Sequence, residues 1–270
     1  MKASVNGIYV KIKKSSDRPG FVEKRLIGTV SRGSAEKIKE THDLYVNKLK
    51  PVVDVPETVL EIRPTNGKGS PCEICIIQQD MSLQGGNIFR AMFENANGAE
   101  RKEMLVSLFD KTVNFQKNAR MHCTGYELGL DSKADNWWIN GKDEWKYVDT
   151  MPPLIRNGKN IDMHMLIPSD DFPSTLMREV ANLQAIRLLL EKPVIGIFFN
   201  PPTMLRYALS DAIYNFPSLK RELRRAAHEF VSNIENNDFK KQCECAISEA
   251  KTDMMVQLIK ITKWLAKNRQ

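Results

Sequence analysis

Two short runs rich in aromatic and β-branched residues constrain this chain most, because polar residues stand at both of their ends. Asn136-Trp137-Trp138-Ile139 and Glu144-Trp145-Lys146-Tyr147-Val148 read as strands. Asn140-Gly141-Lys142-Asp143 lies between them and carries an Asn-Gly turn signal. A hairpin here brings Asn136, at its start, close to Asp149, just past its end. Asp131 and Lys133 precede the hairpin in the segment Asp131-Ser132-Lys133-Ala134-Asp135-Asn136. Taken singly, such Asp and Asn residues are more often caps or turn residues. Together they place two Asp, one Lys and one Asn at one edge of a hairpin. Trp137 and Trp138 are expected to split, one into the core and one towards solvent or substrate.

The pattern Asp131-x-Lys133-x-x-Asn136, followed by Asp149, resembles the catalytic loop and metal-binding Asp of Ser/Thr protein kinases. The rest of the chain is more similar to the aminoglycoside phosphotransferase branch. Leu128-Gly129-Leu130-Asp131 and Tyr147-Val148-Asp149-Thr150-Met151-Pro152-Pro153-Leu154 resemble an uncharacterised bacterial kinase-like family, which shares a Gly-Leu-Asp lead-in and an Asp-Thr-x-Pro exit. The resemblance implies an α+β, two-lobed kinase-like fold. A reduced β-rich N-lobe over 1–79 faces the nucleotide, and a helical C-lobe over 80–270 carries the catalytic loop. It also implies ATP and Mg2+. Phosphoryl transfer needs a positioned hydroxyl, metal on the phosphates and cations that spread the developing charge. Asp131 would orient the hydroxyl and take its proton, and Lys133 would contact the phosphate or the acceptor. Asn136 and Asp149 would supply oxygen ligands to Mg2+, which is satisfied by few protein ligands. The resemblance has limits. No His-Arg precedes Asp131, no Phe-Gly follows Asp149, and no Ala-Pro-Glu segment follows later. It therefore does not extend to an activation loop of the eukaryotic kind.

The same resemblance asks for a phosphate-binding Lys upstream and an acidic partner for it. Ile8 to Ile12 alternates like a strand, Ser15 to Gly20 is a turn cluster, and Phe21 to Ile27 reads as a second strand. Lys24 follows Gly7 at a kinase-like distance, with Lys11 and Lys13 as rivals. Only six residues precede Gly7, so the phosphate-covering loop is expected to be minimal, or the phosphates held mainly by metal and Lys. Ser34 to Lys50 reads as a helix with Ser34 as its N-cap. Glu40 is the implied partner of Lys24. Against this, Ile38, His42, Tyr45 and Leu49 form the apolar stripe, leaving Glu36, Glu40 and Asp43 to a solvated face. After a Gly-rich turn over Asn66 to Ser70, Cys72 to Met81 reads as a buried strand. Its exit, Gln78, Gln79 and Asp80, would hydrogen-bond adenine through backbone groups. A core strand with a polar exit explains the same residues.

The remaining chain reads as mostly helical: Lys111 to His122, Ser174 to Glu191, Pro217 to Asn233 and Phe239 to Lys267. Pro193 to Phe199 is the longest apolar run and is far too short to span a bilayer. With no secretory leader and five Cys, reduced thiols in a cytoplasm are expected. Cys72-x-x-Cys75 with Cys243-x-Cys245 does not have the spacing of a known zinc module. The formal charge of +7 sits in residues 1–50, which carry twelve Lys and Arg against five Asp and Glu. A polyanionic nucleotide suits that bias. Nucleic acid is not favoured as a partner, since the aromatic interleaving of a single-strand groove is missing. Lys220, Arg221, Arg224 and Arg225 read as a solvated helix face. His122 and His164 flank the site in sequence and read as structural. Three functions follow: an ATP- and Mg2+-dependent transferase to a hydroxyl acceptor, with a small molecule favoured over protein or RNA; a pseudokinase that binds or scaffolds; and a helical interaction protein whose resemblance is chance.

Overall fold

The computed structural model describes residues 10–26, 29–65, 71–140, 144–151, 153–157, 160–161 and 198–250. The expected features at Gly7, Asn66 to Ser70, His164, Ser174 to Glu191 and beyond residue 250 lie outside them. The architecture is α+β. The expected strands become β1 (Val10–Lys14) and β2 (Phe21–Leu26), followed by α1 (Arg32–Leu49), β3 (Thr58–Pro64) and β4 (Cys72–Gln79). They form an antiparallel sheet in the order β1-β2-β4-β3. β4 is central and reads Cys-Glu-Ile-Cys-Ile-Ile-Gln-Gln, almost continuously buried, as expected for a strand covered on both faces.

Helix α1 starts earlier than expected. Its N-cap is Ser31, whose Oγ accepts from the Ser34 amide at 3.2 Å, and not Ser34. The stripe Ile38, His42, Tyr45, Leu49 is buried as its spacing requires. Along this stripe the helix changes neighbours. Ala35 and Ile38 pack with Leu60, Ile74 and Ile76 of the sheet. Tyr45 and Leu49 pack into a larger core made mainly by the helices. His42 lies between the two clusters.

Beyond β4 come β5 (Gly86–Ile88), α2 (Phe89–Asn95), α3 (Gly98–His122) and β6 (Glu127–Leu128). Asn97 and Glu100 form a capping box at the start of α3. The hairpin is present as β7 (Trp137–Asn140) and β8 (Trp145–Tyr147), with Trp137 opposite Tyr147 and Ile139 opposite Trp145. β5 adds to its other edge. Gly86 is required there, because a Cβ would sit 2.3 Å from the Ile139 carbonyl oxygen. The two tryptophans do not split between core and surface. Both are buried, Trp137 in the main core and Trp138 in a small cluster with Met81 and Val148. Alternation sends them to opposite faces of β7, and both faces are covered.

Strands β9 (Ile155–Asn157) and β10 (Asn160–Ile161) pair with β6 in the order β10-β9-β6. Among the described residues three helices complete the core: α4 (Pro201–Asn215), α5 (Lys220–Ser232) and α6 (Asn237–Ser248). Lys220, Arg221 and Arg225 of α5 are exposed, as a solvated face requires. Among the described residues no helix is long and apolar enough to cross a membrane.

Candidate functional site

The segment from Gly129 to Asn136 is held from several sides. The Gly129 amide donates to Leu154 O at 2.7 Å, and the Leu130 amide to Phe198 O at 2.9 Å. Gly129 is packed so closely that a Cβ would lie 2.9 Å from the Phe198 carbonyl oxygen, so the residue before Leu130 must be small. The Asp131 amide donates to Tyr147 Oη at 3.2 Å. Buried Ser132 donates its hydroxyl to Met204 O at 3.0 Å, and the Ala134 amide donates to Asp211 Oδ2 at 3.4 Å. Helix α4 therefore supports the loop from below at two points. A short 3-10 turn, Ala134–Asn136, then feeds the hairpin.

The hairpin closes the distance between the two ends of the motif. The Val148 amide donates to Asn136 O at 2.9 Å. Asn136 Nδ2 donates to Asp131 O at 3.1 Å, which commits the amide nitrogen and leaves the amide oxygen as the end able to meet a cation. Asp149 Oδ1 accepts from the Met151 amide at 3.3 Å. Lys133 Nζ donates to Asp131 Oδ2 at 2.8 Å and lies 5.6 Å from the centre of the Tyr207 ring. Lys24 reaches the same place from β2, with Nζ donating to Val148 O at 2.6 Å. Residues 24, 131–136 and 149 thus converge where the four-stranded sheet meets the hairpin and the helices.

The charges here are strained by desolvation. Burial pushes the Lys24 ammonium down, against the pull of Asp149. Burial pushes Asp149 up, opposed by Lys24 and reinforced by Asp131. Burial also works against Lys133, yet Asp131 and Tyr207 outweigh it and raise this group well above its usual range. Asp211 is pushed up to about 6 by burial, with Lys133 partly offsetting. Burial thus opposes charge at Lys24, Asp149 and Asp211, while the contacts of Lys133 favour its charged form.

Other expected residues lie elsewhere. Glu40 is exposed on α1 and does not pair with Lys24, because the buried stripe fixes the helix rotation and turns Glu40 to solvent. His42 takes the inward position, with its Nε2 3.1 Å from Thr150 Oγ1. Burial holds its imidazole down to about 4, so it is neutral near pH 7. Lys13 pairs with Glu23 at 3.4 Å on the other face of the sheet, which leaves Lys24 as the inward lysine of this pair. The adenine contacts expected at Gln78, Gln79 and Asp80 meet a competing demand. The Gln79 amide donates to Glu57 O and the Asp80 amide to Gly20 O, both at 2.8 Å. Gln78 is buried and its side chain donates to Thr58 Oγ1 at 3.0 Å. The Asp80 side chain caps a 3-10 turn, accepting from the Ser82 amide and hydroxyl. His122 is exposed at the end of α3.

Sequence reasoning missed Tyr147, Asp211 and the polar role of Tyr45, whose hydroxyl donates to Gly129 O at 2.9 Å. Asp211 carried a usable signal, being a lone acid among the buried residues Leu209, Ala212 and Ile213 of α4. Among the described residues no group of three or more His, Cys, Asp or Glu could hold a metal ion. Cys72 and Cys75 are buried in β4, while Cys243 and Cys245 lie on α6. Asn136 and Asp149 offer oxygen atoms of the kind a hard cation takes, an amide oxygen and a carboxylate.

Comparison with known families places residues 17–247 within a single family model, and the chain belongs to that family, a family of unknown function (DUF6206). No curated protein matches the chain.

Proposed function

We propose that this protein is an ATP- and Mg2+-dependent phosphotransferase that moves the γ-phosphoryl group of ATP to a hydroxyl acceptor. The observation that carries the reading is the convergence of Lys24, Asp131, Asn136 and Asp149 from three separate chain segments, tied by the Lys24–Val148 and Val148–Asn136 hydrogen bonds. On this reading the sheet and α1 form a reduced, nucleotide-facing lobe of a kinase-like fold, and the helical half forms the acceptor-facing lobe.

Asp131 orients the acceptor hydroxyl and receives its proton, held in place by the hydrogen bond from its backbone amide to Tyr147 Oη and by Lys133. Lys133 keeps positive charge beside the oxygen that Asp131 deprotonates. Lys24 presents an ammonium to the phosphates from the sheet side. Asn136 and Asp149 would hold Mg2+, which when bound neutralises charge on the phosphate oxygens. A small-molecule acceptor is favoured, because the segment after Asp149 lacks the activation segment of protein kinases.

A second reading, a nucleotide-binding pseudokinase without turnover, draws on two observations. The amides of Gln79 and Asp80 are already bonded within the protein, and Glu40 does not orient Lys24.

Thermal stabilisation by ATP, with and without Mg2+, tests binding. A Mg2+-dependent rise in Tm is expected for the wild type and its loss in Asp149→Ala; ligand at a hundred times Kd stabilises by about 2.7 kcal/mol. ATP turnover then separates the readings, since the transferase loses it in Asp131→Ala and the pseudokinase has none to lose. No shift in the wild type removes both.

A further inference from the structure

Helix α1 makes two polar contacts from its buried stripe that packing alone does not require. Tyr45 and His42 are three residues apart on one face, so their side chains are neighbours. Both are fully buried, where a polar group is costly unless it is bonded. Their partners are separated widely in sequence yet flank the two acidic residues of the site. Tyr45 donates to Gly129 O, two residues before Asp131. His42 shares a hydrogen bond with Thr150, the residue after Asp149. The Asp131 amide itself donates to Tyr147 Oη at 3.2 Å. One helical face thereby holds both borders of the site, through neutral groups.

We propose that His42 and Tyr45 are positioning residues that set the separation of Asp131 and Asp149, in the place where an acidic residue paired with Lys24 was expected. The inference deepens the phosphotransferase reading and rests on it for its functional consequence. Physically, α1 joins the sheet cluster to the helical core, and His42 stands at the crossover. Any shift of α1 away from Gly129 or Thr150 must break the Tyr45–Gly129 or the His42–Thr150 bond, and each breakage leaves a buried polar atom unpaired. A neutral latch also leaves the Lys24 ammonium uncommitted to a carboxylate on α1, free to meet phosphate. The adjacent carboxylate, Asp43, pairs with Lys39 at 2.6 Å and lies 3.6 Å from His42 Nδ1.

Two variants remove one hydroxyl each and keep the packing: Tyr45→Phe and Thr150→Val. Amide hydrogen exchange without nucleotide reads the geometry directly. The Asp131 amide in Tyr45→Phe and the Met151 amide in Thr150→Val should exchange about fivefold faster or more, as the loss of one hydrogen bond of about 1 kcal/mol requires. Amides of β3 and β4 should keep wild-type rates, and Thr150→Ser should restore the Met151 rate. The Mg-ATP concentration giving half the maximal thermal shift should rise by a similar factor in both variants. Wild-type exchange at both amides would overturn the proposal, as would a uniform rise that includes β3 and β4, since that marks a purely structural role. A wild type that shows no Mg-ATP shift defeats the phosphotransferase reading, and the exchange rates still decide whether α1 positions the two acids.

Discussion

Glu23 and Lys24 are consecutive residues of β2, point to opposite faces of the sheet, and meet opposite fates. The Glu23 side chain is 1% exposed yet fully compensated. Arg25 Nε lies 2.6 Å from it, Arg63 Nη1 2.8 Å and Lys13 Nζ 3.4 Å. Burial alone would raise its carboxyl; the hydrogen bonds from Arg25 and Arg63 win and lower it from 4.5 to about 2. The arginines are satisfied in turn by Glu73 and Glu61. Lys24 is half-buried, with a backbone carbonyl as its hydrogen-bond partner and Asp149 as a neighbouring charge. Here burial wins, and the charged form is disfavoured. A charge cluster closed on itself supports the fold. A desolvated cluster left short of compensation is where a charged ligand gains most.

Three measurements test that contrast. The largest effect is expected from Glu23→Gln, which leaves Arg25 and Arg63 facing each other. Urea denaturation should show a loss of about 2–3 kcal/mol, at the low end for a broken buried pair because both arginines can still reach solvent. Its pH dependence has a fixed sign. The Glu23 carboxyl titrates lower in the folded state than in the unfolded, so its contribution is complete above pH 4.5 and is lost as pH falls towards about 2. Glu23→Gln should flatten the stability curve across that window, and an unchanged acid limb would break the assignment. Lys24→Met should act in the other direction, raising Tm without ligand by the equivalent of about 1 kcal/mol while abolishing the Mg-ATP shift. A variant that loses stability without ligand would place Lys24 with Glu23, as a structural charge. The smallest effect is expected from Glu40→Ala, within about 0.5 kcal/mol of wild type and with the nucleotide shift intact. A large loss of the shift would restore Glu40 as the partner of Lys24.

Much of the local order was legible in the chain. The hairpin strands followed from their aromatic residues and the Asn-Gly signal between them, and they bring Asn136 against Val148, the residue before Asp149. The α1 stripe was legible too, and it already weighed against Glu40, since a helix that buries Ile38, Tyr45 and Leu49 turns position 40 outward. The bonding of the Gln79 and Asp80 amides, where adenine contacts were expected, was not legible. Their amides are taken by Glu57 and Gly20, residues far away in sequence.

The sequence by itself determined the elements, the buried stripe of α1, and the order Asp131, Lys133, Asn136, Asp149, because helix and strand periods and turn chemistry act over a few residues. Only the tertiary structure decided that Lys24 reaches Val148, the residue before Asp149, that His42 and not Glu40 faces inward opposite Thr150, that Tyr45 and Tyr147 hold the approach to Asp131, and that Asp211 supports the loop from α4. Each of these depends on which buried polar group finds its partner across a long stretch of chain. Satisfaction of a buried group is a property of the packed whole, and no local window of sequence contains it.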